Sequence, residues 1–178
     1  MTALVAALDE KYRDAITSME RGVRTCPDEL WNASLWPVRG IERVGGGIVD
    51  LPPEERVQLL SAVWHIAYHA IFHLDFNLSR GEEHFECPPP FRMDDHAPPP
   101  GYERCLPSRV YTREELLGYL DHCRRRADQR LSSLTEEELA ALAPRRPLAE
   151  RLLDNLLHFG EHTTQIHMFL GQRAPEAR

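Results

Sequence analysis

Apolar residues recur every three to four positions along most of this chain, and four such stretches predict four long helices. In the first, residues 3 to 24, Leu4, Leu8, Ala15, Met19 and Val23 form a narrow apolar stripe on a charged helix that Pro27 follows. The second opens on Pro52 and Pro53, which preset a first helical turn. Asp50 is its candidate N-cap, and Glu54 and Glu55 sit where the helix dipole favours anions. Its pattern runs unbroken to about Ser79. Thr112 to Glu115 read as a capping box, after which Leu116, Leu117, Leu120, Ala127, Leu131 and Leu134 carry a third helix, with His122 pointing away from that stripe. Thr135 with Glu138 repeats the capping pattern for a short helix ending near Pro144, and Pro147 opens the fourth long helix.

The connections are as informative as the helices. Residues 25 to 50 hold Trp31, Trp36 and the triplet Gly45-Gly46-Gly47, which predicts an irregular link with an aromatic anchor and flexible punctuation. Both tryptophans read as packing residues. Residues 80 to 111 carry Pro88-Pro89-Pro90, Pro98-Pro99-Pro100 and Pro107. The reach of that segment far exceeds the roughly 30 Å of a 20-residue helix, so it can cross over and leave helices 2 and 3 parallel. Phe85, Phe91 and Tyr102 are expected to pin it over one end of the bundle, with His84 and His96 exposed or, as the lesser option, one of them at a site entrance. With no strand pattern and no repeat, the expected architecture is all-α: one domain over residues 1–178, folded as a four-helix bundle with a long crossover between helices 2 and 3.

Composition narrows the function classes. A hydrophobic content of 42% suits a globular core, and no apolar run approaches the roughly 20 residues of a membrane span. Residues 1 to 24 read as a charged amphipathic helix rather than a signal peptide, so the expected location is cytoplasmic. The net charge of −7 disfavours nucleic acid as a partner, and the basic run Arg124-Arg125-Arg126 with Arg130 reads as a solvated helix face. Cys26, Cys87, Cys105 and Cys123 show no C-x-x-C spacing. Reduced thiols are expected, with a Cys87–Cys105 disulfide as the alternative.

Histidine carries the candidate chemistry. His158 and His162 are four residues apart on the last helix, which brings their Cβ atoms to roughly 5–6 Å, close enough to share a divalent ion. Asn155, Gln165 and Phe169 share their stripe, whereas His167 lies half a circumference from His158. A second row, His65, His69 and His73, lies on one face of helix 2 and would supply a third ligand, without the spacing deciding which. Glu161 borders the metal face as a candidate general base. Asn155 and Gln165 are candidates to orient a ligand imidazole or a bound water. The sequence has no nucleophile elbow, phosphate-binding glycine loop or dinucleotide fingerprint, which disfavours a serine hydrolase or a nucleotide enzyme.

Three segments in order, Cys26-Pro27-Asp28-Glu29-Leu30-Trp31, then Tyr68-His69-Ala70-Ile71-Phe72 leading to Asp75 and Leu78-Ser79, then His158-x3-His162-Thr163-Thr164-Gln165-Ile166, resemble the DinB/YfiT-like superfamily of small bacterial four-helix-bundle metalloenzymes. The resemblance spans essentially the whole chain. It departs from the family pattern in having Thr-Gln where Gly-Gln or Ala-Gln usually follows the last histidine pair. It implies a ligand set of His69, His158 and His162, with His65 as the alternative on helix 2. It further implies a divalent metal, zinc or nickel most commonly, and pairing as a homodimer. The implied activity is of thiol-transferase or hydrolase type on a small molecule, in the former case with a low-molecular-weight thiol. The competing expectation is a non-catalytic bundle that binds a small molecule or a protein, its site blocked by Phe72 or Phe76.

Overall fold

The structure, a computed structural model, describes residues 2–41, 43–46, 48, 51–79, 85–96, 98, 100–141 and 147–173. Helix α1 spans Ala3–Thr25, and the Thr2 hydroxyl caps it by accepting from the Val5 N–H. Its buried face is Val5, Leu8, Tyr12, Ile16, Met19 and Val23. That set keeps Leu8, Met19 and Val23 of the expected stripe and has Val5 and Ile16 where Leu4 and Ala15 were expected. Leu4 is accordingly 51% exposed, and Ala15 lies only at the edge of the core.

The second predicted helix is two. Helix α2 covers Pro53–Leu59 and helix α3 covers Val63–Leu78. The Ser61 hydroxyl donates to the Trp36 carbonyl at 2.7 Å, and Ala62, extended at φ −64° and ψ 147°, pairs with Ser34 in an isolated bridge. These ties to the preceding connection interrupt the helix between Leu59 and Val63, although no glycine or proline there marks a break. Glu54 and Glu55 do sit in the first turn of α2, whereas Asp50 lies outside the described residues.

Helix α4 spans Arg113–Ser132, with both halves of the Thr112–Glu115 capping box formed. Helix α5, Glu136–Ala140, carries the matching Thr135–Glu138 box and stops at Ala140; Pro144 is outside the described residues. Helix α6 runs Leu148–Arg173. The described residues are mostly helical. The four long helices meet pairwise, α1 against α4 and α6, and α3 against the same two, so their buried stripes share one core.

Strand is not absent, contrary to expectation. Strand β1, Val44–Gly46, pairs in parallel with strand β2, Arg104–Leu106, in register Gly45 with Cys105. Gly45 and Gly46 are thus paired backbone rather than flexible punctuation. At Gly46, φ is +96° and a Cβ would stand 2.0 Å from the Leu106 carbonyl oxygen, so only glycine fits. The ladder joins the connection before α2 to the one before α4.

Buried polar groups tie the helices further. Asp75, fully buried on α3, accepts from the Tyr119 hydroxyl at 3.1 Å and pairs with Arg126 at 3.0 Å, with His122 Nε2 at 3.4 Å. His122 and Arg126 therefore face this carboxylate, which corrects the reading of both as outward-facing. Arg124 pairs with Glu20 across helices, while Arg125 pairs with Asp121 on its own exposed face. In the long connection Phe85 and Phe91 are buried as expected, but Tyr102 is 47% exposed. The four cysteines are free thiols, which removes the disulfide alternative. Trp31 is an anchor, its Nε1 donating to the Tyr111 carbonyl at 3.0 Å. Among the described residues no helix is long and apolar enough to cross a membrane.

Candidate metal centre

The contact between α3 and α6 brings the two histidine rows together. His69 lies with its ring centroid 5.3 Å from His158 and 5.1 Å from His162, and donor atoms of all three fall within 4.8 Å of one another. The Nε2 atoms of His158 and His162 are 3.2 Å apart. Around a tetrahedral ion with metal–nitrogen bonds of about 2.0–2.1 Å, neighbouring nitrogens stand roughly 3.3–3.4 Å apart. The pair already has the spacing of two ligands on one ion.

Gln165 defines which nitrogens are free. Its Oε1 lies 2.8 Å from His162 Nδ1, and because an amide oxygen only accepts, Nδ1 carries the proton and Nε2 keeps its lone pair. Asn155 does something else. It is buried between helices, its Nδ2 donating to the Tyr12 hydroxyl and the Leu74 carbonyl, both at 3.3 Å. Through these bonds it is a core bridge among α1, α3 and α6, and among the described residues its amide makes no hydrogen bond to an imidazole. Glu161 is exposed beside His162, and its charge opposes the lowering of the His158 pKa.

Of the three histidines on α3, His65 is held apart. Its Nδ1 lies 2.9 Å from the Leu60 carbonyl, in the break before α3. His73 faces a residue expected to be exposed. His96 is half-buried, its Nε2 lies 3.0 Å from His73 Nε2, and Phe72 stacks on its ring at 4.0 Å. His96 follows a short 3-10 turn, Met93–Asp95. That turn is fixed from two sides. Asp95 Oδ2 accepts from the Tyr111 hydroxyl, and the Cys105 thiol on β2 points at the Asp95 carbonyl. Donor atoms of His69, His73 and His96 also fall within 4.8 Å of one another. His84 lies outside the described residues, and His167, on the other side of α6, meets the Ser18 carbonyl of α1 at 2.9 Å.

Burial and neighbouring imidazoles favour the neutral form of His69, His73, His96 and His158. Burial first, then His73, His96 and His162, pushes the His69 pKa down to about 2. Burial, with His158 and His162, takes His73 to about 4, and burial with His73 as the nearest charge takes His96 to about 3. His158 is lowered for the same reasons. Neutral imidazole is the form that coordinates a metal.

A cavity of about 480 Å³ opens onto His65, His69, His96 and His162. Trp36, Val38, Ile41, Leu60 and Ile66 give it an apolar wall, and Glu103 and Arg104 lie at its edge. Trp36 therefore lines the cavity rather than the core. Phe72 and Phe76 are not part of the lining, and Phe72 lies against the His96 ring. Comparison with protein-family models, with curated proteins and with solved structures returns no match.

Proposed function

We propose that this chain is a metal-dependent enzyme of the DinB/YfiT-like kind, a four-helix bundle in which His69, His158 and His162 hold one divalent ion, zinc or nickel. The observation that carries the reading is the convergence of three imidazoles from two helices, two of them, His69 and His162, lining an open, mostly apolar cavity. Three nitrogen donors suit zinc, nickel, iron or copper, and a catalytic site of this type keeps one position free for water or substrate.

When bound, such an ion supplies Lewis-acid activation of a thiol or a water, lowering its pKa so that the anion attacks near neutral pH. The protein's own residues do the rest. Gln165 holds His162 in the tautomer that presents Nε2. The apolar wall of Trp36, Val38 and Ile41 accepts the uncharged body of a small substrate and excludes water from the reacting end. The reaction class is thiol transfer to an electrophile, or hydrolysis, and the partner in the first case is a low-molecular-weight thiol. A second copy of the chain is the proposed partner in assembly, with Leu157 and Met168 exposed on one face of α6 to receive it.

Elemental analysis of the untagged protein after mild dialysis tests this reading. About one zinc or nickel per chain is expected. Replacing His158 or His162 by alanine is expected to weaken binding at least about tenfold, more than loss of an outer partner costs, with the helical circular dichroism unchanged. Full affinity in both variants, or no metal bound or acquired by the wild type, overturns it and leaves a bundle that only binds.

A further inference from the structure

His73 and His96 have no task in the proposed function, yet their arrangement repeats that of the pair on α6. Their Nε2 atoms are 3.0 Å apart, against 3.2 Å for His158 and His162, and His69 stands within ligand range of both pairs. Both spacings fall within a few tenths of the roughly 3.3–3.4 Å between nitrogens on a tetrahedral ion. A hydrogen bond between His73 and His96, one ring protonated at Nε2 and the other accepting, accounts for their contact alone. It does not account for a third imidazole whose donor atom also falls within 4.8 Å of theirs. Three half-buried nitrogen donors, with no carboxylate or thiolate among them, form the donor set of a borderline transition metal and not of calcium or magnesium.

We propose that a divalent transition-metal ion has two alternative seats in this chain, sharing His69: a helix seat with His158 and His162, and a crossover seat with His73 and His96. The helix seat rests on the function proposed above; the crossover seat rests on its own geometry. A neutral imidazole gives one lone pair to one ion, and the seats share His69, so they alternate and the chain holds one ion at a time. The same cavity is lined by His69, by His96 of one seat and by His162 of the other, so both seats are reached from one side. Because His96 is carried by the connection between α3 and α4, occupancy of the crossover seat is tied to the position of that connection.

Cobalt(II) titration of the untagged wild type and of His96→Ala, His158→Ala and the double variant decides the matter, with bound metal measured by elemental analysis and geometry by visible absorption. One cobalt per chain is expected in the wild type and in each single variant. The two single variants should give different spectra, and the double variant should bind none. A His158→Ala protein that binds no cobalt overturns the crossover seat and leaves the helix seat standing. Loss of cobalt in His96→Ala with retention in His158→Ala overturns the helix seat instead. Two ions per wild-type chain overturn the alternation, and none overturns both seats. Far-UV circular dichroism reports the fold of each variant, and His96→Gln and His158→Gln replace an alanine variant that does not fold.

Discussion

Gln165 and His162 lie one helical turn apart on α6, with the amide oxygen 2.8 Å from the imidazole Nδ1, so a residue exposed on the surface sets the tautomer of a candidate ligand beneath it. Outer partners of this kind are worth about 10–100-fold in metal affinity. Gln165→Ala is expected to weaken zinc binding within that range while leaving thermal unfolding nearly unchanged, and Gln165→Glu, which keeps an accepting oxygen, to restore it. Competition against a chelator of known affinity makes the measurement; identical affinities in all three proteins would show that the bond has no influence on the site.

Asn155 separates structure from chemistry on the same helix. Its amide bridges the Tyr12 hydroxyl and the Leu74 carbonyl, and Tyr12 in turn donates to the Leu152 carbonyl at 2.8 Å. Asn155→Ala strands those groups in the core and is expected to cost about 1–3 kcal/mol of stability. Metal content per folded chain should not change. A variant of full stability but lowered metal content would reverse this assignment.

Acid should loosen the metal-free protein. An unfolded histidine titrates near pH 6.5, whereas in the fold His65 and His73 are pushed down to about 4 and His96 to about 3, by burial above all. Between those values the unfolded chain binds protons that the native one refuses, so stability falls as pH drops from about 6.5 towards 3. Each such histidine contributes up to about 1.4 kcal/mol per pH unit. Urea midpoints at pH 7.5 and pH 5.0 check the sign, and equal midpoints would contradict it. Metal affinity should decline over the same range, because protons compete for the ligand nitrogens.

Gly46 and Gly40 form a matched pair of substitutions. Both have positive φ, +96° and +73°, but a Cβ meets the Leu106 carbonyl oxygen at 2.0 Å in the first case and open space in the second. Gly40→Ala carries only the backbone cost of about 1 kcal/mol. Gly46→Ala must also part β1 from β2, and a larger drop in melting temperature with faster amide exchange at residues 104–106 is expected. Equal effects of the two substitutions would mean that the ladder contributes nothing.

What was legible in the sequence follows from periodicity. His158, His162 and the row on α3 could be placed because a helix converts spacing into a face, and the capping boxes at Thr112 and Thr135 announced their helices outright. His96 could not be placed, since it follows a 3-10 turn whose position is set by Tyr111 and Cys105, partners that no local pattern links to it. The break between α2 and α3 was hidden for a similar reason: Leu60, Ser61 and Ala62 fit a helix, and the interruption comes from bonds to Trp36 and Ser34. The β1–β2 ladder left no trace because three residues are too few to show alternation, and two of the three in β1 are glycine. Asn155 shared a stripe with the ligands, yet its short side chain satisfies its neighbours in the core instead.

The parallel ladder also imposes an order of assembly. Each histidine row forms as its own helix winds, a local event, whereas His69 and His158 stand 89 residues apart in the chain and Gly45 and Cys105 stand 60 apart. Contacts so distant in sequence bear the loop-closure cost before they return anything, so they form late. The Cys105 thiol that steadies the turn before His96 belongs to that late ladder. A chain halfway to its native state therefore carries its histidine rows on separate helices, and neither group of three is complete until those distant contacts have closed.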